Sequence, residues 1–414
     1  MTEPAAPVFR AVQPEEFSAV ASLITMSFGN PQDAKGFVER NNHPEQFRVV
    51  DQGGEFVAGV WFGKLGQWWL GHRLPSAQVL SVGVPPQHRG RGHATRLMRG
   101  LLHELHDDGI PTATLFASTA ALYRGVGFEV AGQWCWYEVM AEHLPRNTGG
   151  YQARQVPLDD LREIRALYDR IAPTRHGALD RDEAWWRERH VRGMAGTPDP
   201  VAFVLDGPVP EAAGLAPGGG DDPTHGPVGY VIVRFERYDH WKTSMIVRDW
   251  ACLPGAERAL YGLLGGFNVL DGKVEWSGRY PDPAMLALPE RRYRLDVPDE
   301  WFLRVVDVPG ALTQRPWPES VRGQVSFRVD DPVCPWNTGE WTLEVDGGKA
   351  RVDRAPAGST TLTAGVRALA ALFTGFLDPL DLAGAGHLTG LDRPTAAFLR
   401  EAFACPIPWT AEHY

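Results

Sequence analysis

A glycine-rich turn joins a short apolar segment to an amphipathic stretch between residues 79 and 105. Gly90 and Gly92 carry no side chain, so the backbone N–H groups of the turn can approach a ligand closely. A helix that begins here adds positive potential at its N-terminus, and Arg89 and Arg91 add two cations suited to a diphosphate. These residue types at this spacing predict a pyrophosphate-binding turn.

The elements on either side of the turn position it. Leu80, Val82 and Val84 alternate as one face of a strand, and two prolines at 85 and 86 end it because proline cannot donate to a ladder. Downstream of Gly92, apolar residues recur on one helical stripe, at positions 94, 97, 98, 101, 102 and 105. The pattern predicts a strand, a turn and a helix.

Two other interpretations of the turn stay open. A dinucleotide-binding fingerprint needs a third glycine where this chain has Thr95, and it normally follows the first strand of a domain. Here about eighty residues precede the turn. The second alternative is an ordinary glycine-rich turn that holds no ligand.

Gln87, Gly90 and Gly92 fill the pattern Gln/Arg-x-x-Gly-x-Gly/Ala, and the segment resembles the acetyl-CoA loop of GNAT N-acetyltransferases. A second block fits the same family about thirty residues on: a strand over 112–117, then Ser118-Thr119 and the run from Tyr123 to Phe128. The resemblance implies an α/β (α+β) fold and acetyl-CoA as co-substrate.

The resemblance also implies which residues bind acetyl-CoA. An open strand edge at 82–84 can pair with the pantetheine amides as an added strand would, and the N–H group of Val82 is a candidate oxyanion donor. The N–H groups of 90–95 would take the pyrophosphate, and Ser118 with Thr119 would lie at the thioester end. The expected set is Val82, Gly83, Val84, Gly90, Arg91, Gly92, His93, Ala94, Thr95, Ser118 and Thr119.

Tyr123 is the candidate general acid. A phenol of pKa about 10 can hand a proton to a leaving thiolate of pKa about 8.5. The alternative is a packed tyrosine that tethers its helix. Candidate walls for the acceptor pocket are aromatic: Phe28, Trp61, Phe62, Trp185 and Trp186.

Three domains are expected, at 1–147, 148–297 and 298–414. The second repeats the plan of the first, with a helix at 158–170 and strands at 201–205, 228–235 and 245–251. A Pro/Gly-rich loop is expected over 206–227. No Gly-x-Gly follows the strand at 245–251, so this copy is expected to be degenerate and not to bind acetyl-CoA.

The sequence pattern of the third domain differs from that of the first two. Strands at 323–329, 339–345 and 350–352 alternate as a meander, and 360–375 is expected to form a helix. The pattern resembles the sterol carrier protein fold. Lipid binding is one interpretation, and a scaffold that supports the end of the chain is the favoured one.

The predicted domain order is a GNAT copy, a second GNAT copy that is not expected to bind acetyl-CoA, and a sterol-carrier-like domain. This order resembles the Eis family of aminoglycoside N-acetyltransferases. No His, Asp or Glu near the two cofactor blocks stands out as a base, although Glu129 lies on the returning strand. In the Eis family the base is the terminal carboxylate, which here belongs to Tyr414. A frayed tail is the alternative. One departure is His413 where an acidic residue would hold a polycation, with Glu412 one position earlier.

Composition and charge narrow the kinds of partner, bound metal and location that are expected for this chain. The 414 residues carry a net charge of −10, which disfavours nucleic acid as a partner and favours cationic ones. The four cysteines are scattered, so no zinc site or disulfide framework is expected, and His103 with His106 is not expected to bind a metal. The chain has no long apolar run and no signal-like start, so it is expected to be cytoplasmic with no membrane partner.

The sequence therefore predicts an enzyme that moves acetyl from acetyl-CoA to a primary amine of a cationic small molecule such as an aminoglycoside. Tyr123 would be the general acid and the Tyr414 carboxylate the general base. Two alternatives stay open: a protein lysine N-acetyltransferase, and a non-catalytic lipid carrier or scaffold. The resemblance implies a homo-oligomer, a trimer or a hexamer.

Overall fold

The computed structural model describes residues 5–41, 43–187, 199–211, 224–240, 242–267, 272–282, 285–286 and 288–414. Its strands, in chain order, are β1 Val8–Ala11, β2 Phe47–Gln52, β3 Glu55–Gly63, β4 Gly66–Trp69, β5 His72–Val79, β6 Thr112–Phe116, β7 Glu129–Gly132, β8 Cys135–Met140, β9 Gln152–Val156, β10 Leu179–Asp180, β11 Val201–Pro208, β12 His225–Arg237, β13 Thr243–Cys252, β14 Lys273–Gly278, β15 Tyr293–Asp296, β16 Trp301–Val305, β17 Arg322–Val329, β18 Gly339–Asp346, β19 Lys349–Arg354, β20 Thr363–Ala364 and β21 Leu388–Thr389.

The helices, again in chain order, are α1 Phe17–Ser27, α2 Ala34–Arg40, α3 His93–Asp107, α4 Ala120–Gly125, α5 Arg162–Ile171, α6 Glu183–Trp186, α7 Glu257–Gly266, α8 Val308–Gln314, α9 Val366–Phe373, α10 Pro379–Gly384 and α11 Arg393–Ala402. Within the described residues, none of these helices has the length and apolar character needed to cross a membrane.

Two compact units make up the molecule. The first contains Met1–Gly132, Glu300–Pro408 and Tyr414, and the second contains Gln133–Asp299 and Trp409–His413. Each unit has its own large sheet.

The large sheet of the first unit has the order β1-β2-β3-β5-β6-β16-β7, with β4 paired to β5. β5 and β6 run parallel, from the pair Ser76–Thr112 to the pair Gln78–Thr114. β16 comes from much later in the chain and lies antiparallel between β6 and β7. A strand from residues 301–305 therefore completes the sheet that carries both cofactor blocks.

The large sheet of the second unit has the order β15-β8-β14-β13-β12-β11-β9. β8 lies between β14 and β15 and is antiparallel to both. Strand pairing thus does not follow the linear order of the predicted domains, because β8 precedes residue 147 and β16 follows residue 297. The limits 1–147, 148–297 and 298–414 stay a prediction.

The Pro/Gly-rich loop expected over 206–227 is shorter than predicted. β11 continues to Pro208 and β12 begins at His225, with Asp206 opposite Pro227. Antiparallel neighbours keep adding ladder hydrogen bonds as long as both chains stay extended, and this outweighs the weak strand propensity of glycine and proline. Residues 212–223 lie outside the described residues.

A smaller sheet in the first unit has the order β19-β18-β17-β20-β21. The helix predicted over 360–375 is only partly correct, since α9 spans Val366–Phe373 and Thr363–Ala364 forms β20. β20 pairs with β17 on one side and β21 on the other. Those two neighbours satisfy the backbone of a threonine-rich segment whose β-branched residues favour a strand.

The core behind the large sheet of the first unit is built on the apolar stripe of α3. Leu97, Met98, Leu101, Leu102 and Leu105 are all fully buried, whereas Ala94 is half-buried. Each fully buried leucine contributes about 2 kcal/mol relative to an exposed one. This stripe fixes α3 against β2 and β3 and so holds the preceding turn in place.

Candidate active site

A β-bulge lies where β5 approaches the cofactor turn. Phe62 of β3 is opposite Val79, and farther along Gly59 and Gly83 exchange two backbone hydrogen bonds with N···O distances of 2.9 and 2.8 Å. One extra residue lies on the β5 side between these two pairs, which defines a bulge. The regular strand predicted through Leu80, Val82 and Val84 is therefore wrong after Val79, because the bulge breaks the alternation and re-aims the backbone.

The glycine-rich turn has the geometry of an anion cradle. Gly90 and Gly92 have φ values of 76° and 75°, in the left-handed region that other residues avoid. A Cβ atom added at either glycine would meet nothing within 4 Å, so open space faces both of them. α3 begins immediately after Gly92, at His93, and its free N–H groups suit a diphosphate.

A groove of about 570 Å³ gathers most of the predicted cofactor residues. Of the eleven, nine line it: Val82, Val84, Gly90, Gly92, His93, Ala94, Thr95, Ser118 and Thr119. Gly83 is buried and not part of the lining, and a Cβ there would meet Oγ of Ser27 at 2.9 Å; Arg91 is exposed outside the lining. The structure therefore brings the two sequence blocks together in one groove.

Sequence reasoning missed several other groove residues. These are Ser27, His88 and Leu122. Two residues that the sequence analysis did name also line the groove: Arg89, and Phe28 of the aromatic residues expected to form a pocket wall. Arg89 was expected to serve as a diphosphate cation, but its guanidinium donates to the carbonyls of Val84 and Ser27 at 3.0 and 2.9 Å. It braces the turn against the end of α1, and no local pattern signals that role.

His93 is buried at the first position of α3. Burial lowers the pKa of its imidazole, and the neighbouring His88, Arg91 and Arg96 lower it further. Within the described residues, neither ring nitrogen has a hydrogen-bond partner. The adjacent His88 instead places Nε2 3.0 Å from a carboxylate oxygen of Glu55.

Tyr123 lines the same groove and is only 5% exposed. Burial raises the pKa of Tyr123 to about 12, and an interaction with the Ser118 side chain opposes that rise. The phenol is therefore protonated at neutral pH. Its ring lies edge-on to Phe128, with centroids 6.1 Å apart, so packing also fixes its orientation.

Tyr414 is docked by its side chain on the sheet of the first unit. Its phenol oxygen lies 2.6 Å from Oγ1 of Thr114 and accepts a hydrogen bond from Nε1 of Trp301 at 2.9 Å. Its ring contacts Phe116 with centroids 5.3 Å apart. The side chain is thus held by the ends of β6 and β16 rather than left free.

Glu412 is buried in the second unit and already paired. Its carboxylate accepts from Nε of Arg181 at 2.5 Å, and Arg181 also binds Asp249 with N···O distances of 2.6 and 2.9 Å. Burial alone would lower the pKa of Arg181, but Asp249 and Glu412 hold it well above its usual range. Glu412 is therefore committed to a structural ion pair.

Glu129, the other carboxylate considered as a base, is clamped by two arginines. Arg124 donates to it at 2.9 and 3.0 Å, and Arg367 of α9 also donates to it. Burial would raise the pKa of Glu129, but these hydrogen bonds and the Val130 N–H group lower it overall. A carboxylate stabilised in this way is a weak proton acceptor.

The two histidines considered as metal ligands, His103 and His106, contact a backbone carbonyl and an aromatic ring instead. Nε2 of His103 lies 3.1 Å from the carbonyl oxygen of Val333, and the ring of His106 stacks on Trp336 at 4.0 Å. Among the residues that the structure describes, no three His, Cys, Asp or Glu side chains are grouped to hold a metal ion.

The second unit lacks an equivalent cradle in the segment after β13. The Gly255 N–H group donates to the carboxylate of Glu257 at 2.8 Å, just where α7 begins. A carboxylate at this helix N-terminus takes the position that an anionic ligand would use and repels a phosphate.

Comparison with known proteins agrees with this geometry. Residues 8–131 and 177–305 each match an acetyltransferase (GNAT) domain, and residues 308–411 match a sterol carrier protein domain. The tandem GNAT fold followed by a sterol-carrier-like domain, expected from the sequence, is therefore confirmed.

Similarity also extends along most of the chain. An uncharacterized N-acetyltransferase of Streptomyces avermitilis is 31% identical over 353 residues, covering 82% of each chain. N-acetyltransferase Eis of Mycobacterium tuberculosis is 27% identical over 352 residues, covering 81% of this chain and 79% of the relative. A GCN5-related N-acetyltransferase structure from Anabaena variabilis superposes with a TM-score of 0.88 at 26% identity, over 99% of this chain and 100% of the other. The chain belongs to the Eis-like GNAT N-acetyltransferases, enzymes that use acetyl-CoA.

Proposed function

We propose that this enzyme transfers acetyl from acetyl-CoA to a primary amine of a cationic small molecule, with Tyr123 as general acid and the Tyr414 carboxylate as general base. The observation that carries the proposal is the placement of both tyrosines in the first unit, Tyr123 on α4 and Tyr414 against β6. Tyr123 lines the cofactor groove, and Tyr414 is held by β6, the strand that leads into it. The net charge of −10 favours cationic acceptors.

The chain's own groups bind and orient the co-substrate in this proposal. The N–H groups of 90–95 take the diphosphate, and the backbone of 82–84 pairs with the amides of the pantetheine arm. Ser118 and Thr119 lie at the thioester end of the groove. The open space in front of Gly90 and Gly92 supports this fit.

Proton transfers are assigned to two residues. Acetyl-CoA supplies an activated thioester whose sulfur must be protonated as it leaves. Oη of Tyr123 supplies that proton, since the phenol lines the groove and is protonated at neutral pH. The Val82 N–H group is the proposed donor to the carbonyl oxygen.

The base must remove a proton from the acceptor amine. A terminal carboxylate of ordinary pKa about 3.5 is a weak base toward an ammonium group. It therefore acts while desolvated, or through a water on an amine that is already partly neutral. Because Glu412 is paired with Arg181, the tail offers no second free carboxylate to hold a polycation. Aminoglycosides stay the first acceptor class to test rather than the only one.

We also propose that the second GNAT copy does not bind acetyl-CoA. Glu257 at the start of α7 supports this, since it occupies the N–H group that a phosphate would use. The domain limits, a homo-oligomer (trimer or hexamer) and a cytoplasmic location are further proposals. Calorimetric titration with CoA tests the proposal for the second copy, because one ligand per chain is expected and two would contradict it.

The acceptor is tested by thiol release from acetyl-CoA across aminoglycosides, polyamines and lysine-containing peptides. Turnover that is highest on cationic small molecules is expected. Faster acetylation of peptides would favour a protein lysine N-acetyltransferase. No turnover on any amine would leave a non-catalytic carrier or scaffold.

A further inference from the structure

A second hollow lies beside the cofactor groove in the first unit. It has a volume of about 820 Å³ and runs along the exposed face of α3. Gly92 and Thr95 line both the hollow and the groove, so the two are continuous at the turn. Its volume falls in the range of about 300–1,000 Å³ typical of small-molecule sites.

Two arginines line the end of the hollow that is nearest the turn. Arg96 and Arg99 lie four and seven residues after Gly92, on the face opposite the buried leucine stripe. At about 1.5 Å per residue, their Cα atoms are about 6 and 10 Å along the axis. Side chains on a helix leave the backbone in the direction of its N-terminus, so both arginine side chains start toward the turn.

The charges of the hollow are divided between its two ends. Within the described chain, the guanidinium groups of Arg96 and Arg99 have no ion-pair or hydrogen-bond partner, and both side chains are exposed. At the far end, Glu104 is paired with Arg48 and Asp108 with Lys64, at N···O distances of 2.7 and 2.8 Å. The exposed Asp107 also lines that end, and its carboxylate lies 3.3 Å from Nδ1 of His106. The uncompensated positive charge therefore faces the turn.

We propose that this hollow receives the nucleotide end of CoA and that Arg96 and Arg99 bind its ribose 3′-phosphate. The inference rests on the proposed acetyl-CoA groove of the first copy. The diphosphate uses the backbone N–H groups of the turn, so the third phosphate of the same ligand needs its own cations. A phosphate monoester carries about −1.5 to −2 charges at pH 7, and an arginine fork binds it with two charge-assisted hydrogen bonds.

The test removes the phosphate from the ligand and the charges from the protein. Isothermal titration calorimetry measures the affinity of the full chain for CoA and for 3′-dephospho-CoA, without any acceptor amine. The wild-type protein is expected to bind CoA about 10- to 100-fold more tightly, as charge-assisted pairs of this kind imply. The double variant Arg96→Gln/Arg99→Gln is expected to lose that preference while its affinity for 3′-dephospho-CoA stays the same.

A matched control is available on α5. Arg162 and Arg165 have the same i, i+3 spacing on a helix of the second unit, so Arg162→Gln/Arg165→Gln should keep the full preference. Glutamine has nearly the helix propensity of arginine, so the melting temperatures of the unliganded variants should match the wild type. Lower salt should increase the preference of the wild type, because the contact is exposed.

Three results would overturn the inference: equal affinity of the wild type for both ligands, equal losses for both ligands in the double variant, or no binding of CoA. The third would also overturn the proposed function. Discrimination by the wild type that collapses in the double variant would support the inference even if no amine in the acceptor panel is acetylated.

Discussion

The phenol oxygen of Tyr414 lies 2.6 Å from Oγ1 of Thr114, the residue at which the parallel pairing of β5 and β6 ends. β6 then runs on to Phe116, whose ring contacts Tyr414, and the chain enters the Ser118–Thr119 block two residues later. Tyr414 is therefore anchored on the strand that leads to the proposed thioester end of the groove.

Appending one glycine after Tyr414 should lower kcat by about 10²- to 10⁴-fold, the contribution of a positioned general base. The extra residue moves the carboxylate away without changing any side chain. Steady-state thiol release with the best acceptor measures the effect. Tyr414→Phe is the matched control, since it keeps the carboxylate and loses only the hydrogen bonds to Thr114 and Trp301. Full turnover by the extended chain would remove the carboxylate from the mechanism.

Tyr123→Phe should reduce kcat by about 10²- to 10⁴-fold and leave CoA affinity near its wild-type value. The substitution deletes the proton donor and keeps the ring that packs on Phe128. Turnover and calorimetric binding together separate catalysis from binding. Tyr151→Phe in the second unit serves as the control and should behave like the wild type. A variant at Tyr123 with unchanged kcat would show that this tyrosine only packs.

The pH profile of kcat should lack a descending limb from Tyr123 between about pH 7 and 10. The acid works while protonated and loses its proton only as the pH rises through its pKa of about 12. An ascending limb in this range would report deprotonation of the amine. A fall in kcat below pH 10 that disappears from the residual activity of Tyr123→Phe would mean that the Tyr123 phenol loses its proton in that range, which would contradict its raised pKa.

Glu129→Gln should destabilise the first unit by about 1–2 kcal/mol at pH 7, after allowance for the partial exposure of its arginine partners. Because the folded state lowers the pKa of Glu129, its contribution is present above the unfolded value of about 4.3 and is lost as the pH falls through the folded value. The difference in melting temperature from the wild type should therefore shrink from pH 7 toward pH 4.

Glu401→Gln is the control for this experiment, since Glu401 is exposed on α11. It should change the melting temperature little at either pH. A Glu129→Gln variant with the same deficit at pH 4 and pH 7 would mean that the loss comes from packing and not from charge.

Local features of the sequence were sufficient to predict the turn and the helix after it. Glycines at 90 and 92 permit the positive φ angles, and the apolar stripe of 97–105 gives the burial of α3. Both depend on residues within a few turns of one another. The bulge after Val79 could not be predicted in this way, because it depends on pairing between Gly59 and Gly83.

The partners of two single side chains, Arg89 and Glu129, could not be predicted from the sequence either. Arg89 lies in a phosphate-type motif, yet its guanidinium binds the carbonyl at the end of α1. Glu129 lies close to the cofactor blocks in sequence, yet its carboxylate is paired with Arg367 of α9. Neither partner lies near enough in the sequence to be identified from a pattern.

By itself, the sequence determined the glycine turn and the helix that follows it, because steric freedom at glycine and apolar periodicity act over short stretches of chain. Only the tertiary structure decided that β16 completes the first sheet and that Tyr414 docks on β6. It also decided that Glu412 forms an ion pair with Arg181. These contacts join segments far apart in sequence. They form because buried strand edges and buried charges must find partners wherever the fold provides them.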